Sequence, residues 1–316
     1  MPEALLLGRE EIAGLLDPAL LPEVLAEGFR AISAGTAVAP ARGDLAVGGA
    51  GHLLTMPAFV PGQQFSTKLV SIFHDNAERG LPSHLGLIVL MDPETGAVSA
   101  LMDARHITAM RTAGAAALAA TLLSRPDSRV LTILGGGVQG EAHLDLLSRQ
   151  FALETIFVGS RNRASAEALA TRDPRCVVID DVEAAVRGSD IVCLCTSATE
   201  PLIRNAWLKP GQHVSSVGWA PPGCELDPAI AAEHALFVEA RMAFAPPPAG
   251  CVELAGLDPD RGTELGEVLL GRKPGRQTPG QITVYKAMGH AIEDLVVANL
   301  VYRTARERAA GRTIAI

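Results

Sequence analysis

The sequence predicts an α/β fold whose centre is a doubly wound parallel sheet. Three observations carry this expectation. After residue 126, short apolar segments alternate with helical ones at the spacing of a parallel sheet wound with helices. A glycine-rich turn, GGGVQG, follows the first of those apolar segments and opens a helix. Aromatic residues make up only 4% of the chain while Gly numbers 31, a mix that suits helices packed closely on a sheet better than an aromatic-rich sandwich.

At 316 residues the chain has room for two domains, each able to bury a core. The 27 basic and 35 acidic side chains leave a net charge of −8, with 48% hydrophobic and 20% charged residues. That composition excludes a disordered chain and argues against a nucleic-acid partner held by a basic surface. The five cysteines, Cys176, Cys193, Cys195, Cys224 and Cys251, show no CxxC spacing, so neither a disulfide framework nor a metal site is expected. The start, MPEALLLGREEIAGLL, lacks the basic region of a signal peptide, and no apolar run approaches the roughly 18 residues of a membrane span. The expectation is a cytoplasmic protein with no membrane partner.

Taken in order, residues 9–34 read as helical, divided by Pro18 and Pro22, and a loop containing Pro40 and Arg42 follows. Residues 52–59, 65–73, 85–91 and 97–102 read as strands, the last two joined by an Asp-Pro-Glu-Thr-Gly turn. Residues 108–124 are a helix rich in Ala and Leu, with Thr108 as its expected N-cap and Pro126 as its stop. Beyond it the apolar segments 130–134, 155–158, 177–179, 191–195, 213–217 and 236–238 are read as strands, with helices at 164–170 and 182–186 among them. Residues 243–250 form a proline loop and 271–280 a charged Gly/Pro loop. A last long helix is expected over 284–311, crossing back to the first domain.

The turn after the first strand of the second half carries chemistry. Gly135, Gly137 and Gly140 fit G-x-G-x-x-G between a strand and a helix. Without side chains the backbone can turn tightly and approach a pyrophosphate, while the helix N-terminus offers free N–H groups and partial positive charge. The next strand ends in Ser160, where NAD enzymes carry an acid for the ribose 2′-hydroxyl, and Arg161 and Arg163 follow. A serine with two arginines attracts a 2′-phosphate, so NADP(H) is the preferred cofactor and NAD(H) the alternative.

Three cations in the first half are candidates for the substrate. Arg111 is expected in the first turn of its helix, where a cation opposes the helix dipole at a cost of a few tenths to ~1 kcal/mol. That placement makes sense if an anion binds there. Lys68 lies in FSTKLVSIF, a strand apolar on both faces, which suggests either a functional cation or a lysine snorkelling at a sheet edge. Arg42 in its loop means little by itself. Three cations meeting beside a nicotinamide imply a substrate with a carboxylate.

The pattern resembles the ornithine cyclodeaminase/mu-crystallin family across most of the chain. The resemblance rests on TKLVSIFHDNAERGLPSHLG, ILGGGVQGEAHLDLL, CTSATEPL and YKAMGHAIEDLVVANLVY, together with the MDPETG and ITAMRTAGAAA segments. It implies a substrate-binding and dimerisation domain of α+β type formed from both chain ends, residues 1–125 and 296–316, with a Rossmann-type domain over 126–295 and a homodimeric assembly. It also implies that Arg42, Lys68 and Arg111 hold the substrate carboxylate, and that Ser83 and Arg111 contact cofactor. Val138 and Gln139 match the pyrophosphate turn, Ser160 the ribose position, and Thr196 and Ser197 a loop beside the dinucleotide. Ser215, Ser216 and Val217 match a cofactor-contacting strand end, and Ala287 and Met288 match cofactor and substrate contacts.

One departure steers the reading. Where the cyclodeaminases carry an aspartate acting on the substrate amine, this chain has Ala220, and a cofactor-contacting lysine is absent near Cys224. Trp219 would instead make the side-chain pocket more apolar. Together with Ser160, this points to the reductase side of the family: a reductase of a carboxylate-bearing imine, such as pyrroline- or piperideine-2-carboxylate, or a related amino-acid dehydrogenase. Lys68 is the candidate acid, with Arg111 beside it. Ornithine cyclodeaminase and a non-catalytic NADPH-dependent binding protein of mu-crystallin type are the alternatives. Of the remaining candidates, Glu293 and Asp294 are expected to form an ion-pair site on the last helix, Asp227 to cap a helix, and Cys193 and Cys195 to be core residues.

Overall fold

The computed structural model describes residues 3–316, except for the side chains of His74 and Ala77. The chain forms two compact units, one containing the residues up to Arg111 and His290–Ile316, the other Thr112–Gly289.

The first unit opens with β1 (Glu3–Leu7), α1 (Arg9–Leu15) and α2 (Leu21–Ser33). Asp17 separates the helices by capping a short 3₁₀ turn, its Oδ1 accepting from Ala19 N at 2.9 Å. Pro22 does not divide a helix as expected; it sits in the first turn of α2, where its missing N–H costs nothing. Then come β2 (Gly43–Val47), β3 (Gly51–Ala58), β4 (Phe65–Ile72), β5 (His84–Met91), β6 (Val98–Asp103) and α3 (Ala104–Leu123).

The second unit continues with β7 (Val130–Leu134), α4 (Val138–Gln150), β8 (Thr155–Gly159), α5 (Arg163–Ala170), β9 (Cys176–Val178), α6 (Val182–Gly188), β10 (Ile191–Leu194) and β11 (His213–Ser216). It closes with α7 (Pro228–Glu233), β12 (Ala235–Val238), β13 (Thr263–Glu264), α8 (Leu265–Leu269) and β14 (Thr283–Lys286). The chain ends in the first unit with α9 (Ala291–Glu307) and β15 (Arg312–Ala315).

The first unit's sheet has the order β15-β1-β6-β5-β4-β3-β2. Only β1 and β6 run parallel; every other pairing is antiparallel. α9 packs on β3, β4 and β5, and against α2. The α2–α9 approach is close: a side chain at Gly28 would place its Cβ 3.2 Å from Val296.

The second unit is the Rossmann-type half. Its sheet runs β13-β12-β14-β11-β10-β7-β8-β9, and every pairing is parallel. Strand order reverses between β7 and β10, the topological switch point at which open α/β sheets bind ligands beyond their carboxyl ends. The apolar core fills with Val192, Leu194, Val214, Val238 and Val284 from these strands.

The expected final helix over 284–311 is corrected. Residues Thr283–Lys286 form β14, fully buried between β11 and β12. The β-branched and aromatic residues of TVYK suit a strand, and Gly289, with φ 76°, breaks the chain before α9 begins. Strands β1, β2, β13 and β15 lie where none was expected.

Candidate active site

The glycine turn is built by packing at three positions and left open at one. Gly135 has φ 128°, and a Cβ there would meet Cys195 O at 2.4 Å. A Cβ at Gly140 would lie 1.9 Å from Gly135 O, and one at Gly136 would press on Ser165. Gly137 differs. Its φ of −99° suits any residue, and a Cβ would meet nothing within 4 Å. The protein itself gives no reason for glycine here, whereas a pyrophosphate approaching the N-terminus of α4 does. Gly137 caps α4 without a side-chain hydrogen bond, so first-turn N–H groups stay open to a ligand. Val138 is exposed, and Gln139 Oε1 is buried with no hydrogen-bond partner among the described residues. These features fit a dinucleotide.

At the end of β8, Ser160 is half-buried and Arg161 exposed. The two arginines expected to share a 2′-phosphate are not equivalent. Arg163 donates from Nε to Glu167 Oε1 at 2.9 Å and also pairs with Asp180, so its guanidinium is already engaged. Arg161 makes no ion pair among the described residues.

The ends of β10 and β11 are held together from beneath. Glu225 Oε2 accepts from Thr196 N at 2.8 Å and Thr196 Oγ1 at 2.7 Å. Its Oε1 accepts from Ser216 Oγ at 2.9 Å and Gly218 N at 2.6 Å. Lys286 Nζ donates to Ser216 Oγ at 3.1 Å and Gly218 O at 2.6 Å, and pairs with Glu253 Oε1 at 2.9 Å. Burial opposes the Lys286 charge, but Cys251, Glu253 and Glu225 outweigh it and hold the ammonium above the ordinary lysine value. Ser215 Oγ is hydrogen-bonded to His213 Nε2 within the sheet at 3.1 Å, while Ser197 is exposed. Val217 N donates to Leu194 O and Ala287 N to Ser216 O, which continues the sheet past its strand ends.

Met288 and Gly289 donate their N–H groups to the two oxygens of buried Glu239, at 3.0 and 3.1 Å. The Met288 side chain belongs to the second unit's apolar core. Trp219 packs at the edge of that core, and its Nε1 donates to Gly250 O of the proline loop at 3.1 Å.

The cations of the first unit form a buried array with two acids of α9. Lys68 Nζ lies 2.7 Å from Asp294 Oδ2. Arg111 reaches Asp294 Oδ1 through Nε and Glu293 Oε2 through Nη1, each at 3.1 Å. All four side chains are at most 5% exposed. Lys68 is no edge residue: β4 lies between β3 and β5, with Met56 and Ile88 as its neighbours in register. Burial is the largest influence on its ammonium; Asp294 opposes it, Arg111 and Arg42 reinforce it, and the pKa falls to about 8. Burial pushes Asp294 up, but Arg111 and Lys68 overcome this and hold its carboxyl below the ordinary aspartate value.

The expected basis for Arg111 is corrected. α3 begins at Ala104, so Thr108 lies inside the helix and Arg111 about two turns from its start. The dipole at the N-terminus has no hold on it there. What holds Arg111 is Glu293 and Asp294, the acids expected to anchor the last helix. His290 caps α9 rather than lying within it: its Nδ1 accepts from Ile292 N at 3.2 Å, and Glu293 Oε1 returns the bond from His290 N at 2.7 Å. Arg42, half-buried just before β2, is close enough to bear on both Lys68 and His290. Ser83 precedes β5, its hydroxyl 3.0 Å from His84 Nδ1. Asp227 caps α7 as expected, and Cys193 and Cys195 are buried.

Sequence reasoning missed Glu239, Glu253 and the bracing role of Glu225. The available signal was weak: single acids in mixed segments, with Lys286 read into a helix. Among the described residues, no group of three or more His, Cys, Asp or Glu is placed to hold a metal ion, and no helix is long and apolar enough to cross a membrane.

Comparison with known proteins identifies the family of the chain. The chain is 40% identical over 257 residues to ketimine reductase mu-crystallin of Mus musculus, covering 80% of each protein. Its fold matches the structure of Thermococcus litoralis Δ1-pyrroline-2-carboxylate reductase in complex with NADH and L-proline, with a TM-score of 0.90 and 31% identity over 98% of this chain and 100% of that one. It matches an archaeal alanine dehydrogenase dimer with bound NAD equally well, with a TM-score of 0.90 and 28% identity over the full length of both chains. A profile of the ornithine cyclodeaminase/mu-crystallin family matches residues 3–309, and the chain belongs to that family.

Proposed function

We propose that this protein is a nicotinamide-dependent oxidoreductase that reduces an imine bearing a carboxylate, with a cyclic ketimine such as pyrroline- or piperideine-2-carboxylate as the substrate class. The observation that carries the reading is Lys68, a lysine in the middle of a sheet, braced by Asp294, whose burial, reinforced by Arg111, lowers its pKa to about 8. A lysine near neutrality can hold a proton and release it to a developing amine.

In this reading Arg42, Lys68 and Arg111 receive the substrate carboxylate, and Asp294 and Glu293 orient the two buried cations. Gly137 and the N-terminus of α4 hold the pyrophosphate, with Ser160 and Arg161 at the ribose phosphate, so NADP(H) is preferred over NAD(H). When bound, the cofactor supplies the hydride. Lys68 supplies the proton to the imine nitrogen and regains one from solvent. Orientation of the bound imine by the cations can contribute roughly 7–11 kcal/mol to lowering the barrier. Trp219 and Met288 border the substrate's side chain. The unit formed by both chain ends is the substrate-binding and dimerisation domain, the middle unit the dinucleotide domain, and the assembly a homodimer.

Ornithine cyclisation is the second reading, disfavoured by Ala220, which has no group to take a proton from an amine. The test is direct. Purified protein should oxidise NADPH in the presence of pyrroline-2-carboxylate, and Lys68→Ala or Arg111→Ala should abolish this. Proline and ammonia formed from ornithine with catalytic NAD would favour the cyclodeaminase, and ligand binding without turnover would favour a binding protein.

A further inference from the structure

Beneath the proposed dinucleotide site lies a network that the reaction itself does not use. Glu225 is 2% exposed, and four donors converge on its two oxygens. Those donors come from two strand ends. Thr196 follows β10, while Ser216 and Gly218 stand at and beyond the end of β11. Gly218 is pinned twice, its N–H by Glu225 and its carbonyl by Lys286. The carboxylate passes so close that a Cβ on Gly218 would stand 2.5 Å from the Glu225 carboxyl carbon and 2.4 Å from Thr196 O. Ser216 Oγ lies between the Lys286 ammonium and Glu225, so the charged groups act as one unit from Glu253 to Thr196.

We propose that Glu225 is a positioning residue: it fixes the β10 and β11 loops in the arrangement that receives the nicotinamide half of the cofactor. This rests on the reading of the second unit as a dinucleotide domain. Buried ion networks are poor sources of stability, because well-packed apolar residues often serve as well or better. What the network does provide is a fixed geometry. It holds the backbone of Thr196 and Gly218 together at the carboxyl ends of β10 and β11, neighbouring strands on one side of the switch point between β7 and β10. Gln in place of Glu225 would keep one acceptor oxygen but turn an NH₂ group onto donors, either those of Thr196 or those of Ser216 and Gly218.

The test is a fluorescence titration of the full-length protein with NADPH and with NADH, combined with steady-state kinetics. Glu225→Gln should fold with a melting temperature a few degrees below wild type, because its NH₂ group then faces buried donors. It should weaken both dinucleotides alike by about tenfold to a hundredfold, because the Thr196 and Gly218 backbone must return to the binding arrangement before either can bind. The loss should fall mainly on the cofactor KM, with kcat at saturating cofactor much less affected. Ser216→Ala, which keeps Glu225 but removes its link to Lys286, should show the same loss at smaller scale. Folded variants that bind both dinucleotides as wild type does would overturn the proposal, as would losses that track melting temperature and vanish when the assay is cooled. If Glu225→Gln fails to fold, an unchanged affinity in Ser216→Ala overturns it. Wild-type protein that binds neither dinucleotide would overturn the dinucleotide reading itself, and the proposal with it.

Discussion

Lys68 Nζ and Asp294 Oδ2 stand 2.7 Å apart with side chains 3% and 1% exposed, joining the middle of a sheet to the first turn of a helix far along the chain. The other oxygen of Asp294 serves Arg111. One carboxylate thus serves two buried cations, and removing it would leave Lys68 without its ion-pair partner and Arg111 with Glu293 alone.

Asp294→Ala should therefore destabilise the protein by about 3–5 kcal/mol, the range for removing one partner of a buried ion pair. A shift in denaturation midpoint at unchanged slope would measure it. The pH dependence follows from the direction of the shift. The folded carboxyl lies below the ordinary aspartate value, so its stabilising contribution is complete above that value and is lost as pH falls through the lower, folded one. Wild type should lose stability below about pH 4, where an unfolded aspartate begins to bind its proton, and the variant should lack that component.

Lys68 has the opposite bearing on pH. Its folded pKa of about 8 lies below the 10.5 of an ordinary lysine, so between those values the unfolded chain binds more protons and stability rises with pH. The destabilising effect of burying the charge is complete below the lower value. Activity should run the other way. If Lys68 gives the proton, kcat/KM for imine reduction should fall as pH rises through about 8. Lys68→Arg keeps a charge for the carboxylate but cannot release a proton, so it should retain much of the substrate affinity while kcat collapses. An alkaline limb that survives unchanged in that variant would assign the titration to another group.

The legible parts of the sequence were those in which a local pattern decides the outcome. The glycine turn, its flanking strand and helix, and the alternation that follows could be read because backbone geometry there depends on residues a few positions apart. Lys68 could be singled out because a lysine in an apolar strand violates burial preference, and Glu293 and Asp294 because acids on an apolar helix need partners. Their pairing with Lys68 and Arg111 could not be read, since it joins positions 182 and more residues apart. β14 was hidden for a related reason. TVYK favours a strand but is short and runs into a helical segment, and its place between β11 and β12 decides the outcome. β2 and β15 are largely exposed strands with no buried face to give them a period of two.

The glycine turn offers a separation of fold from function. Gly140→Ala should impair folding, because its Cβ would fall 1.9 Å from a carbonyl oxygen that cannot move without opening the turn. Gly137→Ala should fold normally, since its backbone is unstrained and the space beside it is open. A methyl there would occupy the approach of the pyrophosphate, so dinucleotide affinity should fall by about tenfold or more. Thermal melts and a cofactor titration on the two variants distinguish the outcomes, and a Gly137→Ala protein that binds dinucleotide at full strength would remove the pyrophosphate from this turn.

Cofactor choice should depend on Arg161 more than on Arg163. Both were expected at the 2′-phosphate, but Arg163 is tied to Glu167 and Asp180, which would have to be released before it could turn to a phosphate. Arg161 is exposed and carries no such commitment among the described residues. Arg161→Ala should weaken NADPH by about tenfold or more while leaving NADH nearly unchanged, as expected for losing a charge-assisted contact to a phosphate that only one of the two cofactors carries. Arg163→Ala should alter the ratio little. Ser160→Asp should invert it, because an acid at the end of β8 repels the phosphate and accepts a hydrogen bond from the free 2′-hydroxyl. The ratio of kcat/KM for NADPH over NADH, measured across the three variants, is the readout. Equal losses for both cofactors in Arg161→Ala would place that arginine away from the ribose.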